Sequence, residues 1–323
     1  MSRLLLITPA RDEAAHLETT IRAVAAQSRP PDLWLIIDDG STDATPELLR
    51  RLERELPFLE VRQGPPRRRH RGEDGLALAA EAVAFNAALD SVNIAEFTHV
   101  GKLDADVELS PNYFEQLLAR FEAESGLGVA GGVLYERGGR GWEPTKVPDY
   151  HVRGALKLYS RECFEAIGGI EERLGWDTID ETYARMHGFA TRSLPEATAR
   201  HHRPVATRGG VLRGRARHGQ CAYILRYGAG WVALRSLKVG LQRPYGLSGI
   251  AFLYGYFRAM AKAQPKVEDE RFKRFVRAEL RARVRGGSSF FRPFPADEMT
   301  SGSRSSSEAQ PPQATGRSVG HPR

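Results

Sequence analysis

The chain has 323 residues, of which 41% are hydrophobic and 27% charged, with a formal net charge of +7 and a pI of about 9.5. That size suits one large globular domain or two modest ones, and no apolar run reaches the roughly 20 residues needed to span a bilayer. Its two cysteines, Cys163 and Cys221, lie too far apart for a zinc site or a disulfide framework, which points to a reducing compartment.

The first half alternates strand and helix signals. Residues 4–8 form a continuous apolar run, as a strand buried on both faces requires. Arg11, Asp12 and Glu13 break it at once, so it reads as a first strand and not as a signal-peptide core. Leu17, Ile21, Val24 and Ala25 then fall on one helical stripe. Residues 33–37 predict a second strand, and Thr45, Pro46 and Glu47 read as N-cap, first helical residue and acidic first turn. A third strand is expected at 58–61, a helix at 77–89 and a fourth strand at 97–103. Ser110-Pro111 opens a helix with Phe114, Leu117, Leu118 and Phe121 inward, and 129–133 is a further strand.

The second half is less regular. A strand at 154–159, short helices at 161–167 and 180–187, and a strand at 190–194 are expected. Apolar and aromatic residues mix with arginines over 219–241, and 246–260 is amphipathic to apolar, fitting either core or an interfacial helix. A charged helix at 268–285 follows, and the Gly, Ser, Pro and Gln-rich remainder reads as a disordered tail. Strands separated by helices imply an α/β fold with a mostly parallel open sheet. The expected domains are 1–205, a ligand-binding and catalytic unit, 206–285, a helical basic extension, and the tail at 286–323.

Open sheets of this kind bind ligands beyond the carboxyl ends of their strands, and Thr8, Asp39 and Asp104 each fall at such an end. Asp104 and Asp106 offer the hard oxygens that suit Mg²⁺ or Mn²⁺, and a cation held there would neutralise a departing nucleotide diphosphate. The alternative is a pair of turn-capping aspartates. Asp39 is placed to accept from a base N–H, with Pro9, Ala10 and Arg11 lining base and ribose, unless 39–43 is a simple turn. Asp180, in the acidic stretch 175–181, is either a helix N-cap or a general base. In His201-His202-Arg203, the His202 imidazole is the candidate third metal ligand, against an ordinary loop role. Among the basic runs 67–71 and 213–218, Arg71, Arg213 and Arg217 are candidates for clamping a diphosphate, against a solvated surface. The G-x-G-x-x-G, P-loop and G-x-S-x-G motifs are absent, which argues against a dinucleotide oxidoreductase, a P-loop enzyme and an α/β-hydrolase.

The stretches Ile7-Thr8-Pro9-Ala10-Arg11-Asp12-Glu13, Ile37-Asp38-Asp39-Gly40-Ser41-Thr42-Asp43 and Leu103-Asp104-Ala105-Asp106, in that order, resemble glycosyltransferase family 2. Asn86 fits the helix after the third strand, and 154–164 with Ile167-Gly168-Gly169 looks like the family's acceptor-side segment. The likeness runs from Leu4 to His202 and more loosely to Arg285. It implies a GT-A fold and a metal-dependent, inverting transfer from a nucleotide-diphosphate sugar, with UDP-sugars favoured. Thr8, Pro9, Arg11, Glu13 and Asp39 would hold the nucleoside, Asp104 the ribose or metal-bound phosphate, and Asp106 the metal. Where the family usually has Glu-Asp, this chain has Ile179-Asp180-Glu181, so Asp177 and Glu181 rival Asp180 as the base. The Gln-x-x-Arg-Trp signature of processive members is absent, which implies single additions to a saccharide or lipid-linked acceptor, as in cell-surface polysaccharide or glycolipid synthesis. The expected location is cytoplasmic, with peripheral attachment to the inner membrane face left open and no nucleic acid partner. The competing readings are a sugar nucleotidyltransferase, which would need a Gly-rich first loop, and a non-catalytic basic protein that binds membrane or nucleic acid.

Overall fold

The computed structural model describes residues 2–65, 79–203 and 210–284. Arg71, the basic run 67–71 and the expected tail from 286 lie outside them. The order is β1 (Leu4–Ala10), α1 (Leu17–Ala25), β2 (Leu33–Asp38), α2 (Thr45–Glu55), β3 (Leu59–Gln63), α3 (Ala80–Leu89), β4 (His99–Leu103), β5 (Val107–Leu109), α4 (Tyr113–Ala123), β6 (Leu127–Gly138), β7 (Gly141–Pro144) and β8 (Leu156–Ser160). After these come α5 (Arg161–Ala166), α6 (Trp176–Met186), β9 (Ala190–His201), α7 (Val211–Ile224), α8 (Ala229–Gly240), α9 (Leu247–Ala261) and α10 (Glu270–Val284).

One nine-stranded sheet runs β3-β2-β1-β4-β8-β6-β9-β5, with β7 beside β6. From β3 to β4 it is parallel, as expected. Beyond β4 it is mixed. β8 runs antiparallel to both β4 and β6, β6 and β9 are parallel, and β5 is antiparallel to β9. Strand direction was hidden because β8 is buried on both faces and so carries the same unbroken apolar pattern as a parallel strand. Both β6 and β9 extend to 12 residues, well past the expected boundaries. Pro195 interrupts the pattern of β9, but pairing resumes after a register shift at Gly132/Val133. Glycine is required at this crossing, because a Cβ on Gly132 would stand 2.1 Å from the Ala197 carbonyl oxygen.

Alternate residues of β1 and β2 feed separate cores. Leu4, Leu6, Trp34 and Ile36 pack with α1, α2 and α4 on one face. Leu5, Ile7, Leu35 and Ile37 pack with α3, α5 and α6 on the other. α10 returns to α6, with Phe272 and Phe275 essentially fully buried, each worth about 2 kcal/mol of apolar burial. α7 and α9 cross at glycines. A Cβ on Gly219 would stand 1.8 Å from the Phe252 carbonyl oxygen, and one on Gly255 1.8 Å from that of Ala216. The two backbones therefore touch with no side chain between them.

Two helix starts differ from expectation. α6 begins at Trp176, so Asp180 lies within the helix and is not its cap. Thr45 opens α2 without capping it, and its hydroxyl instead accepts the Glu13 amide at 2.9 Å. That bond joins the loop after β1 to the loop after β2.

Candidate active site

The carboxyl ends of β1, β2 and β4 meet on one edge because these strands are neighbours and parallel. The loops that leave β1 and β2 are stitched together. Asp12 accepts from the Thr42 amide at 2.7 Å, Asp43 from the Ala14 amide at 3.1 Å, and Asp38 from the Ser41 amide at 2.8 Å. Asp39 is buried beside Gly64, and the Arg11 guanidinium donates to its carbonyl at 3.1 Å. Thr8, expected at this edge, lies inside β1 before its end at Ala10 and is fully buried, with its hydroxyl turned into the sheet, where it accepts the Trp34 indole N–H at 3.0 Å.

β9 delivers a histidine to the same edge. It runs parallel to β6, which shares the direction of β4 across β8, so its end at His201 lies on the carboxyl side. The donor atoms of Asp104, Asp106 and His201 all lie within 4.8 Å of one another. His201 takes the place expected of His202, because successive residues on a strand point to opposite sides. The His202 ring instead meets Glu108 at 2.9 Å and stacks on His16.

His201 presents Nε2 to Asp106 at 3.2 Å and Nδ1 to Glu136 at 3.5 Å. A carboxylate behind the distal nitrogen orients an imidazole for metal binding. Burial opposes charge on His201, but its bonds to Asp106 and Glu136 prevail and push its pKa up to about 9. Burial likewise works against the Asp106 carboxylate, yet His201 and Arg203 outweigh it and hold the group below the usual range. At Asp104 burial wins over the adjacent Lys102, with Glu81 and Asp106 reinforcing it, and the pKa rises to about 6. Arg203 bridges Asp106, at 3.5 Å, and Glu13, so Glu13 supports this cluster through Arg203. A divalent cation such as Mn²⁺ would have to displace the His201 Nε2 proton; with that proton gone, two carboxylates and an imidazole backed at Nδ1 by Glu136 fit such an ion.

Behind the cluster lie two buried lysines that are direct partners across the β4–β8 ladder, Lys102 and Lys157. Like charges placed opposite each other repel, and each here has its own carboxylates. Lys102 pairs with Asp104 and with Glu81 at 3.0 Å. Lys157 donates to both Asp180 oxygens, at 2.8 and 2.9 Å, and to the Asp177 carbonyl at 2.6 Å, and lies 3.3 Å from Glu181. The Trp176 ring spans both, 5.1 Å from Lys102 Nζ and 5.5 Å from Lys157 Nζ, and donates its N–H to Glu81 at 3.0 Å.

This arrangement separates the three acids of α6. Asp180 is buried, held by Lys157 and by the Tyr159 hydroxyl at 2.5 Å. Glu181 is buried against His151 at 2.9 Å and the Val152 amide at 2.6 Å. Burial would raise the pKa of Glu181, but Lys157, His151 and Arg185 outweigh it and bring it down to about 2. Asp177 is half-buried in the first turn, and its Cβ lies 3.1 Å from the place a Cβ on Gly154 would take. Gly154 adjoins Ala155, whose carbonyl accepts the Asp104 amide at 2.8 Å. α7 passes over this turn, with Cys221 Sγ 3.5 Å from a Cβ position on Gly175. Arg213 is exposed and Arg217 half-buried on the same helix.

A family model for glycosyl transferase family 2 matches residues 5–170, more than half of the chain. The chain belongs to glycosyl transferase family 2. No curated protein sequence matches it. Among solved structures it is similar to a mannosyltransferase from Pyrobaculum calidifontis in complex with GDP-Man and Mn²⁺, at 18% identity over 88% of this chain and 86% of that one, with a TM-score of 0.51. It is also similar to GalNAc-T7 with UDP, GalNAc and Mn²⁺, at 13% identity over 88% of this chain and 58% of that one, with a TM-score of 0.55. These likenesses show the GT-A fold.

The glycosyltransferase family match ends before α6, so it covers Asp104 and Asp106 but none of the rival bases. Glu81, Lys102, Trp176 and Arg203 were not singled out from sequence. A lysine inside a strand reads as an exposed residue, and burial of this kind shows only once its partners are in place.

Proposed function

We propose that this family 2 enzyme transfers a sugar from a nucleotide-diphosphate sugar to an acceptor hydroxyl with inversion, assisted by Mn²⁺ or Mg²⁺. The observation that carries this reading is the meeting of Asp104, Asp106 and His201 on the sheet edge where Asp39 and Arg11 also stand. Asp39 would accept from the base, with Pro9 and Arg11 beside the nucleoside. Asp104, Asp106 and His201 would hold the cation, which supplies Lewis-acid neutralisation of the diphosphate. Arg213 and Arg217 would face the diphosphate, and residues 206–285 would complete the acceptor side.

Asp177 is the base we favour, since Asp180 and Glu181 are locked into ion pairs and closed to solvent. It would take the acceptor proton as that oxygen attacks the anomeric carbon and the bond to the diphosphate breaks. A uridine donor and a lipid-linked or saccharide acceptor remain the working choices, within cell-surface polysaccharide or glycolipid synthesis in the cytoplasm. The two structural neighbours carry guanosine and uridine nucleotides respectively, so the base is settled by binding.

The test is melting of the full chain with UDP, GDP or dTDP, each with and without Mn²⁺. One nucleotide with Mn²⁺ should raise Tm by several degrees, because a ligand at about 100 times its Kd adds about 2.7 kcal/mol. If no nucleotide raised Tm in the presence of Mn²⁺, the reading would fail. Asp177→Asn should keep that shift yet lose transfer by on the order of 10²-fold or more. Unchanged turnover would return the role of base to another acid.

A further inference from the structure

The large hydrophobic side chains exposed among the described residues are confined to 211–260. Their arrangement is regular. On α8 and just past its end, Leu234, Leu237 and Leu241 are exposed, the last two at 71% and 78%, while Val232, Ser236 and Val239 are buried. On α9, Ile250, Tyr254 and Phe257 are exposed, while Ser248, Phe252, Gly255 and Ala259 are buried. Each helix buries one face, where Val232 and Val239 of α8 pack with Phe252 of α9, and carries a second apolar stripe outward, which a helix that only covers a core does not need. The two pack together, with the Ser236 hydroxyl donating to the Gly249 carbonyl at 3.2 Å. Their outer stripes form one surface.

Charge identifies what that surface meets. No Asp or Glu occurs between Glu196 and Glu268. Lys238, Arg243, Arg258 and Lys262 are exposed on the same two helices and their flanks. A second copy of the chain would bring cationic rim against cationic rim with no acid to offset it. Nucleic acid would match the rim but leave the leucines and the isoleucine without a partner. An anionic bilayer satisfies both parts, since its acyl boundary takes the apolar stripe and its headgroups take the cations. Tyrosines at the boundary, here Tyr245 and Tyr254, suit such an interface. None of the described helices is long and apolar enough to cross a membrane, so the contact is peripheral.

We infer that the outer face of α8 and α9 docks the protein on an anionic lipid surface. This face contains no residue of the nucleotide site, and the inference stands whichever donor is used. The experiment is co-sedimentation of the full chain with vesicles of phosphatidylcholine alone or with 30% phosphatidylglycerol, at low and high salt. Binding should require the anionic lipid, and added salt should weaken it. Leu237→Glu with Ile250→Glu should lower it by roughly tenfold or more. Both side chains are solvent-exposed, so Tm and the nucleotide-induced shift should stay unchanged in this variant, which keeps failure here separate from failure of the proposed activity. Equal binding to neutral vesicles would overturn the charge argument. No vesicle binding by the native chain would overturn the inference, whether the chain is monomeric or forms a dimer that the double variant dissociates.

Discussion

An Asp106→Asn protein is expected to fold and to lose transfer. The substitution keeps the shape of the side chain, and the main-chain carbonyl of residue 106 still accepts the His202 amide at 3.0 Å. Arg203 retains Glu13 and the buried His201 retains Glu136, so neither cation is orphaned. What disappears is one of the two carboxylates in the donor set. A bound cation is worth several kcal/mol to a departing phosphate, and each 1.36 kcal/mol is tenfold in rate, so turnover should fall by roughly 10²–10³-fold. Mn²⁺ affinity, read by electron paramagnetic resonance without any turnover, should weaken in parallel. His201 should also titrate lower once the Asp106 charge is gone, since that contact helps keep its proton. A variant that still bound Mn²⁺ with native affinity would show that Asp106 is not a ligand.

The largest stability loss should come from Lys157→Met. Lys157 has no solvent exposure, and its ammonium is the shared partner of Asp180 and Glu181. Methionine fills the space but removes the charge, leaving Asp180 with the Tyr159 hydroxyl and the Glu181 amide alone. Removing one member of a buried ion pair costs about 3–5 kcal/mol, measurable by urea denaturation. Adding Asp180→Asn to that variant should recover part of the loss, because the uncompensated carboxylate is then gone, and the double-mutant cycle should show coupling above 1 kcal/mol, on the order found for contacting charges. Additive effects would mean that the pair does not act as a unit.

Legibility followed burial pattern. β1, β2 and β4 and the acidic loops after β2 and β4 could be read because each apolar run stops at turn-forming residues. The likeness to family 2 rests on those same segments. Past β4 the signals weaken for identifiable reasons. Pro195 masks the second half of β9, so the strand that carries His201 to the edge is invisible beyond Leu194, and the choice between neighbouring histidines depends on its phase. Gly188 marks the end of α6 correctly, but the start at Trp176 has no side-chain cap, so the pattern puts the boundary at Asp180, an interior residue of the helix. The lysine pair could not be read at all, because its register is set by an antiparallel partner that looks like any buried strand.

The glycine contact between α7 and α9 has a mechanical consequence. Helices separated by long side chains can shear when rotamers change, whereas these two rest main chain on main chain and have nothing to compress. They should tilt as one slab. A torque applied at Ile250 or Phe257 would then be carried whole into α7 and onto the turn at Gly175 that Cys221 covers, with no separate relay.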